Sequence, residues 1–209
     1  MSAALRSRRP AASALRGVSL IELMVGIAII AIAVAMSAPS FTEWIYNSQI
    51  RSTAESVQNG LQFARAEAVR RNTPVRMQFT TSLDSSCAIS TTGTSWVVSL
   101  ASAGTPASKC NDDATVLQSG QPVAGRASTT ISSDHGGTFG FNGLGRIVKT
   151  TSPDTDIVDG AIDIKSSKGT CAAESGGTLR CLRVLVSAGG QVRMCDPKRG
   201  SGDPMACTP

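Results

Sequence analysis

The order of apolar and polar positions divides the chain into three regimes. From Val18 to Ala38 nearly every residue is apolar, and Glu22 is the one charge within it. At about 1.5 Å per helical residue, such a run is long enough to cross a hydrocarbon core of roughly 30 Å. From Thr42 to Arg71 the pattern turns amphipathic. Ile50, Ala54, Val57, Leu61, Ala64 and Ala68 recur at steps of four and three on one face, while Arg51, Glu55, Arg65, Glu67 and Arg70 lie largely off it. Asn72-Thr73-Pro74 ends the helix, because proline disfavours helical geometry in the residue before it. Pro39 removes one backbone donor and predicts a kink or loosening between the two halves. Together the halves predict one helix from Val18 to Asn72.

Beyond Pro74 the period falls to two. "VRMQF" places Val75, Met77 and Phe79 on one face, and "SWVVSL", "TFGF", "RIVK", "AIDIK" and "LRVLVS" read as further short strands. Gly, Ser, Thr and Asp fill the gaps between them, as turn chemistry requires. The expected fold class is therefore α+β: a long N-terminal helix packed by its apolar face on a small antiparallel β sandwich. The expected organisation is a leader over 1–17, a membrane half of the helix over 18–38, an amphipathic half over 39–73, and a β-rich globular domain over 74–209.

Charge changes this picture at the N-terminus. Arg6, Arg8, Arg9 and Arg16 precede the apolar run without any acid, which predicts a cytoplasmic N-terminus and an outward-facing remainder. The 209-residue chain carries 20 basic and 15 acidic residues, a formal net charge of +5. Four of those basic residues lie before Val18, so the rest of the chain is nearly balanced and no global basicity points to nucleic acid. All six cysteines, Cys87, Cys110, Cys171, Cys181, Cys195 and Cys207, come after the run and would face an oxidising compartment. An even count there predicts disulfides, whose connectivity the sequence does not choose. Pairing of sequence neighbours, each closing its own loop, is the simplest expectation. A zinc site finds little support: no C-x-x-C occurs and His135 is the only histidine.

Glu22 needs an explanation, because a carboxylate in mid-span costs about 2.5–3.5 kcal/mol on insertion scales, and less near an end. A cut between Gly17 and Val18 would supply one. The new amine would lie one helical turn from Glu22 and be mostly protonated near neutral pH. One subunit's Glu22 could then neutralise the next subunit's amine. "GVSLIEL" followed by an apolar run resembles the type IV prepilin (class III) signal, with glycine before the cut, glutamate at the fifth position after it and proline at the twenty-second, here Pro39. Val18 stands where phenylalanine is usual. The resemblance implies cleavage after Gly17 and N-methylation of Val18 by a prepilin peptidase. Two other readings compete: a secretory signal cut after "AVA" (Ala33–Ala35), leaving Met36 first, and an uncleaved signal anchor.

"NGLQFARAEAVRRNTPVRM", "FNGLGRI" and "GGQVRMC" are similar to the helix-to-strand junction and later strands of the GspH/FimT family of minor pilins and pseudopilins. That resemblance implies a structural subunit of a type IV pilus or type II secretion pseudopilus. It would be held in the inner membrane with a periplasmic globular domain, partnered by other pilins, and free of cofactors.

No enzyme is legible. His135 lies in "SDHGG" with no nucleophile arrangement around it, and reads as a solvated loop residue. Asp154, Asp156, Asp159 and Asp163 miss the D-x-D-x-D-G calcium pattern by one residue and lack a closing Glu. "GFNGLGR" lacks G-x-G-x-x-G and reads as a tight β turn.

The hairpin "CLRVLVSAGGQVRMC" can be registered. A three-residue loop, Ala188-Gly189-Gly190, pairs Val186 with Val192 and Val184 with Met194 on one face, Leu185 with Arg193 on the other, and Cys181 or Arg183 with the region of Cys195. Gly190 is then left-handed. A two-residue loop would mix the faces. Arg183, Gln191 and Arg193 share the outer face, with Lys198 and Arg199 next in a loop that a Cys195–Cys207 bond could close. In FimT-type proteins a G-R-x-R motif here is associated with binding DNA during uptake. This chain has Gly190-Gln191-Val192-Arg193, which lacks the first arginine and hence one counterion-releasing charge. DNA uptake is accordingly the alternative function.

Overall fold

The computed structural model describes residues 17–103, 110–112, 114–121, 128–148 and 159–207, with only the backbone at 37–39. The leader through Arg16, the side chain of Pro39, and Asp154 and Asp156 lie outside the described residues. The chain divides into two units, Met1–Phe41 and Thr42–Pro209.

The first unit is dominated by helix α1, which runs from Leu20 to Arg71 and so continues into the second. Its side chains from Leu20 to Met36 are exposed and almost wholly apolar. Among the described residues no single helix meets the length and apolarity of a membrane span, whereas Leu20–Met36 and Ser40–Arg71 taken together do.

In the second unit the apolar face read from the sequence is the buried one. Ile50, Ala54, Val57, Leu61, Ala64 and Ala68 are fully inaccessible to solvent. Alanines at three of these six positions let the strands approach the helix closely, while the larger residues fill the core. The helix ends in a Schellman motif: Thr73 N–H donates to Ala68 C=O and Asn72 N–H to Val69 C=O, each at 3.2 Å, with Asn72 left-handed. Glu67 adds a clamp over the last turn, accepting from Arg70 at 2.7 and 2.9 Å and from Arg71 at 2.6 Å. Hydrogen bonds from Arg70 and Arg71 pull the Glu67 carboxyl down to about 2.

Nine strands are described: β1 (Val75–Thr80), β2 (Ser95–Leu100), β3 (Val116–Gly120), β4 (Thr129–Ser133), β5 (Thr138–Phe141), β6 (Ile147–Val148), β7 (Gly160–Ser166), β8 (Leu182–Val186) and β9 (Val192–Cys195). They form two antiparallel sheets, ordered β3-β2-β1-β5-β6 and β4-β7-β8-β9. One core joins the helix face to both sheets, through Met77, Phe79, Trp96, Phe139 and Phe141 of the first and Ile162, Ile164, Val184 and Val186 of the second. Each such side chain contributes about 1.5–3 kcal/mol on burial, which is the main force holding helix to strands. β1 departs from a half-exposed strand, since its polar alternates Arg76, Gln78 and Thr80 are buried as well. A second small cluster of Cys87, Val97 and Cys110, flanked by Leu83 and Val116, covers the outer side of β2.

Disulfides join Cys87 to Cys110, Cys171 to Cys181 and Cys195 to Cys207, all sequence neighbours. The "FNGLGR" stretch is a tight turn: Asn142 Oδ1 accepts from the backbone of Leu144 and Arg146, and Gly145 is left-handed.

Candidate functional site

Two regions carry the residues singled out by the sequence, and each is built differently. At the N-terminal end, Gly17, Val18 and Ser19 lie outside α1, which begins at Leu20. Ser19 Oγ accepts from Glu22 N–H at 3.2 Å, and Glu22 Oε2 accepts from Ser19 N–H at 3.4 Å. This reciprocal pair is a capping box, satisfying two backbone donors that a helix start otherwise leaves orphaned. Glu22 therefore has a local role at the start of α1. The S-x-x-E spacing of Ser19-Leu20-Ile21-Glu22 is the signal that could have revealed it. The bond from Ser19 is long for N–H to oxygen, so the carboxylate is held loosely.

At the C-terminal end, the hairpin has the predicted register: Val186 pairs Val192, Val184 pairs Met194, Leu185 pairs Arg193, and Arg183 pairs Cys195. Ser187 N–H donates to Gln191 C=O and Gly190 N–H to Ser187 C=O, closing the three-residue loop with Gly190 left-handed. Gly190 also lies so close against the Gly145 carbonyl that a Cβ would overlap that oxygen. The same oxygen accepts from Arg65 Nε at 3.1 Å, tying both turns to α1.

The outer-face cations are spent largely within the domain. Arg183 makes a bidentate pair with Asp163 on β7, at 2.7 and 3.0 Å. Arg193 donates to the carbonyls of Ala206 and Cys207, both at 3.0 Å, and so pins the end of the C-terminal disulfide loop. Arg199 pairs with Asp203 at 3.0 Å and lies 3.7 Å from Asp196. Asp196, only 2% exposed, also takes Arg180 at 3.1 Å. Lys198 is exposed, with its backbone N–H on Asp196 Oδ1, and Gln191 is exposed beside the loop. The shared outer face of Arg183, Gln191 and Arg193 is present, but two of these three serve as braces.

Among the described residues no group of His, Cys, Asp and Glu could hold a metal ion. His135 is exposed yet anchored: its Nε2 lies 3.0 Å from Asp159 C=O, and its ring meets Phe139 edge-on. Asp159 accepts from Ala188 N–H and Asp163 from Arg183, so both carboxylates are structural.

A chain with a reciprocally capped N-terminal helix, a long apolar run and two antiparallel sheets on the helix's amphipathic half has a pilin-like architecture. The family model described as type II transport protein GspH matches residues 53–190, and the model of the prokaryotic N-terminal methylation motif matches residues 14–38. The chain belongs to the GspH family, one of membrane-anchored, structural pilin-like subunits rather than enzymes. Two crystal structures of the type IV minor pilin FimU of Pseudomonas aeruginosa strain PAO1 align with it. In space group P21 the TM-score is 0.48 at 18% identity, over 77% of this chain and 96% of that one. In P65 it is 0.46 at 16% identity, over 75% and 98%. No curated protein matches the chain.

Proposed function

We propose that the chain is a minor pilin or pseudopilin, cut by a prepilin peptidase between Gly17 and Val18 and methylated on the Val18 amine. It waits in the inner membrane with its N-terminus cytoplasmic and its globular domain periplasmic, then joins a type IV pilus or type II secretion pseudopilus through its N-terminal helix. The observation that carries this reading is the presence on one chain of the methylation motif over 14–38 and the GspH match over 53–190. The helix start at Leu20 supports it further, since it leaves Gly17–Val18 in non-helical chain that a peptidase can reach. On assembly Glu22 exchanges the long bond from Ser19 for a neighbour's amine, a stronger, charge-assisted partner.

The test is the N-terminal residue and mass of the protein recovered from membranes. A methylated Val18 is expected, and Gly17→Ala should leave the leader in place. A chain starting at Met36 would mean ordinary secretion and would overturn the reading. Glu22→Val should still insert but fail to enter filaments, and unchanged incorporation would remove the pairing role. DNA uptake, the alternative, draws no support from a patch whose arginines are bound to Asp163, Asp196, Asp203 and two carbonyls. Binding to duplex DNA that falls steeply with salt would restore it.

A further inference from the structure

The globular unit carries a groove that its role as a filament subunit does not account for. Trp44, Asn47, Ser48 and Arg51 form one wall along a single face of α1. Arg180, Leu182, Met194 and Met205 form the rest, enclosing about 310 Å³. The floor is apolar, Leu182 being buried and Met194 half-buried. Two large apolar side chains stand at the opening, Trp44 at 64% and Met205 at 39% exposure. Among the described residues, the only charged ones lining the groove are two arginines. Arg51 is tied through Nε to Glu55 and Arg180 through Nη2 to Asp196, which holds both guanidiniums in place. Among the described residues, both Nη groups of Arg51 and Nη1 of Arg180 have no acceptor.

Position along the chain identifies the occupant. Trp44 lies eight residues beyond Met36, the last of the apolar run whose side chain is described, a stretch of chain that reaches about 29 Å at most. In a membrane-anchored chain this short connection keeps the groove within reach of the polar headgroups, where tryptophan is enriched and arginine meets phosphate. We infer that the groove binds one anionic phospholipid, its phosphate on Arg51 and Arg180 and its glycerol and first acyl carbons against Trp44, Leu182, Met194 and Met205. Methionine suits this use, because its flexible thioether adapts to a mobile chain. The C-terminal loop that supplies Met205 is pinned by Arg193 and the Cys195–Cys207 disulfide, so those residues shape the groove at one remove.

The inference rests on the membrane anchoring in the proposed function, and its test is separate. The full chain, purified in mild detergent, is titrated with phosphatidylglycerol or phosphatidylcholine and weighed by native mass spectrometry. One phosphatidylglycerol per chain is expected, retained in preference to phosphatidylcholine. Arg51→Gln should weaken retention about fivefold, the worth of one basic contact at a lipid surface. Met205→Asp, at an exposed rim where folding is not at stake, should weaken it as well, while Arg70→Gln at the far end of α1 should not. Equal retention of the two lipids, or indifference to Arg51→Gln and Met205→Asp, overturns the proposal. So does protection of Trp44 that rises with protein concentration and ignores lipid charge, which would make the groove a contact between subunits. If the leader proves uncleaved while phosphatidylglycerol is still held selectively, the proposed processing fails and this inference, which needs only the anchor, stands.

Discussion

Replacing Gly190 by alanine tests the geometry of the C-terminal site most directly. The residue is left-handed at φ 77°, and an added Cβ would run into the Gly145 carbonyl oxygen. The left-handed conformation costs a residue with a Cβ about 1–2 kcal/mol. Forcing the two turns apart adds an overpacking cost of about 1–3 kcal/mol. The bond from Arg65 Nε to Gly145 C=O is stretched in the same movement. The expected loss is therefore about 2–5 kcal/mol, a large part of the roughly 5–15 kcal/mol that holds a domain folded. Urea unfolding of the purified protein, followed by tryptophan fluorescence, reads it, because Trp96 is 4% exposed and reports on the core. Gly189→Ala is the control: its Cβ would meet nothing nearer than Ser187 Oγ at 3.9 Å, so it should be close to neutral. Equal stability of the two variants would refute both the turn assignment and the close approach of the hairpins.

The polar contacts lead to two further outcomes. Glu67 titrates near 2 rather than at its ordinary value of 4.5, so the clamp on the last turn of α1 is complete above about pH 4.5 and is lost as pH falls toward 2. Protection of the Asn72 and Thr73 amides, measured against the intrinsic exchange rate at each pH, should fall over that window, and Glu67→Gln should hold it at the lowered level throughout. Arg193→Ala should loosen the segment from Asp196 to Cys207, because two carbonyls lose a charged donor. Limited proteolysis should then cut within that segment first, and Arg193→Lys, which lacks the fork, should restore only part of the protection.

Much of the fold was legible because burial acts on periodicity. The six-residue face of α1 was readable since every member packs on the strands, and the β8–β9 register was readable since one face had to be uniformly apolar. β3 and β4 were not. "VLQSG" and "TTISS" are edge strands of their sheets, half exposed, and Ile131 is the one apolar side chain in the latter. A strand paired on one side and wet on the other carries little hydrophobic signal. At the candidate sites the cations are legible in the sequence and their partners are not. Asp163 lies 20 residues before Arg183, and Asp196 lies 16 after Arg180, so only the folded sheets bring them together. The capping role of Glu22 is local and legible in the S-x-x-E spacing, because Ser19 and Glu22 lie one turn apart.

The disulfides bear on how the protein is made. Cys110 is the first cysteine after Cys87, Cys181 the first after Cys171, and Cys207 the first after Cys195. A chain delivered across a membrane in order of synthesis therefore exposes each correct partner before any later, wrong one. Oxidation at the pace of export closes the three loops one after another, without an isomerase to undo mistakes. A chain refolded from the reduced, full-length state has no such protection, and must find its pairs among all six thiols at once.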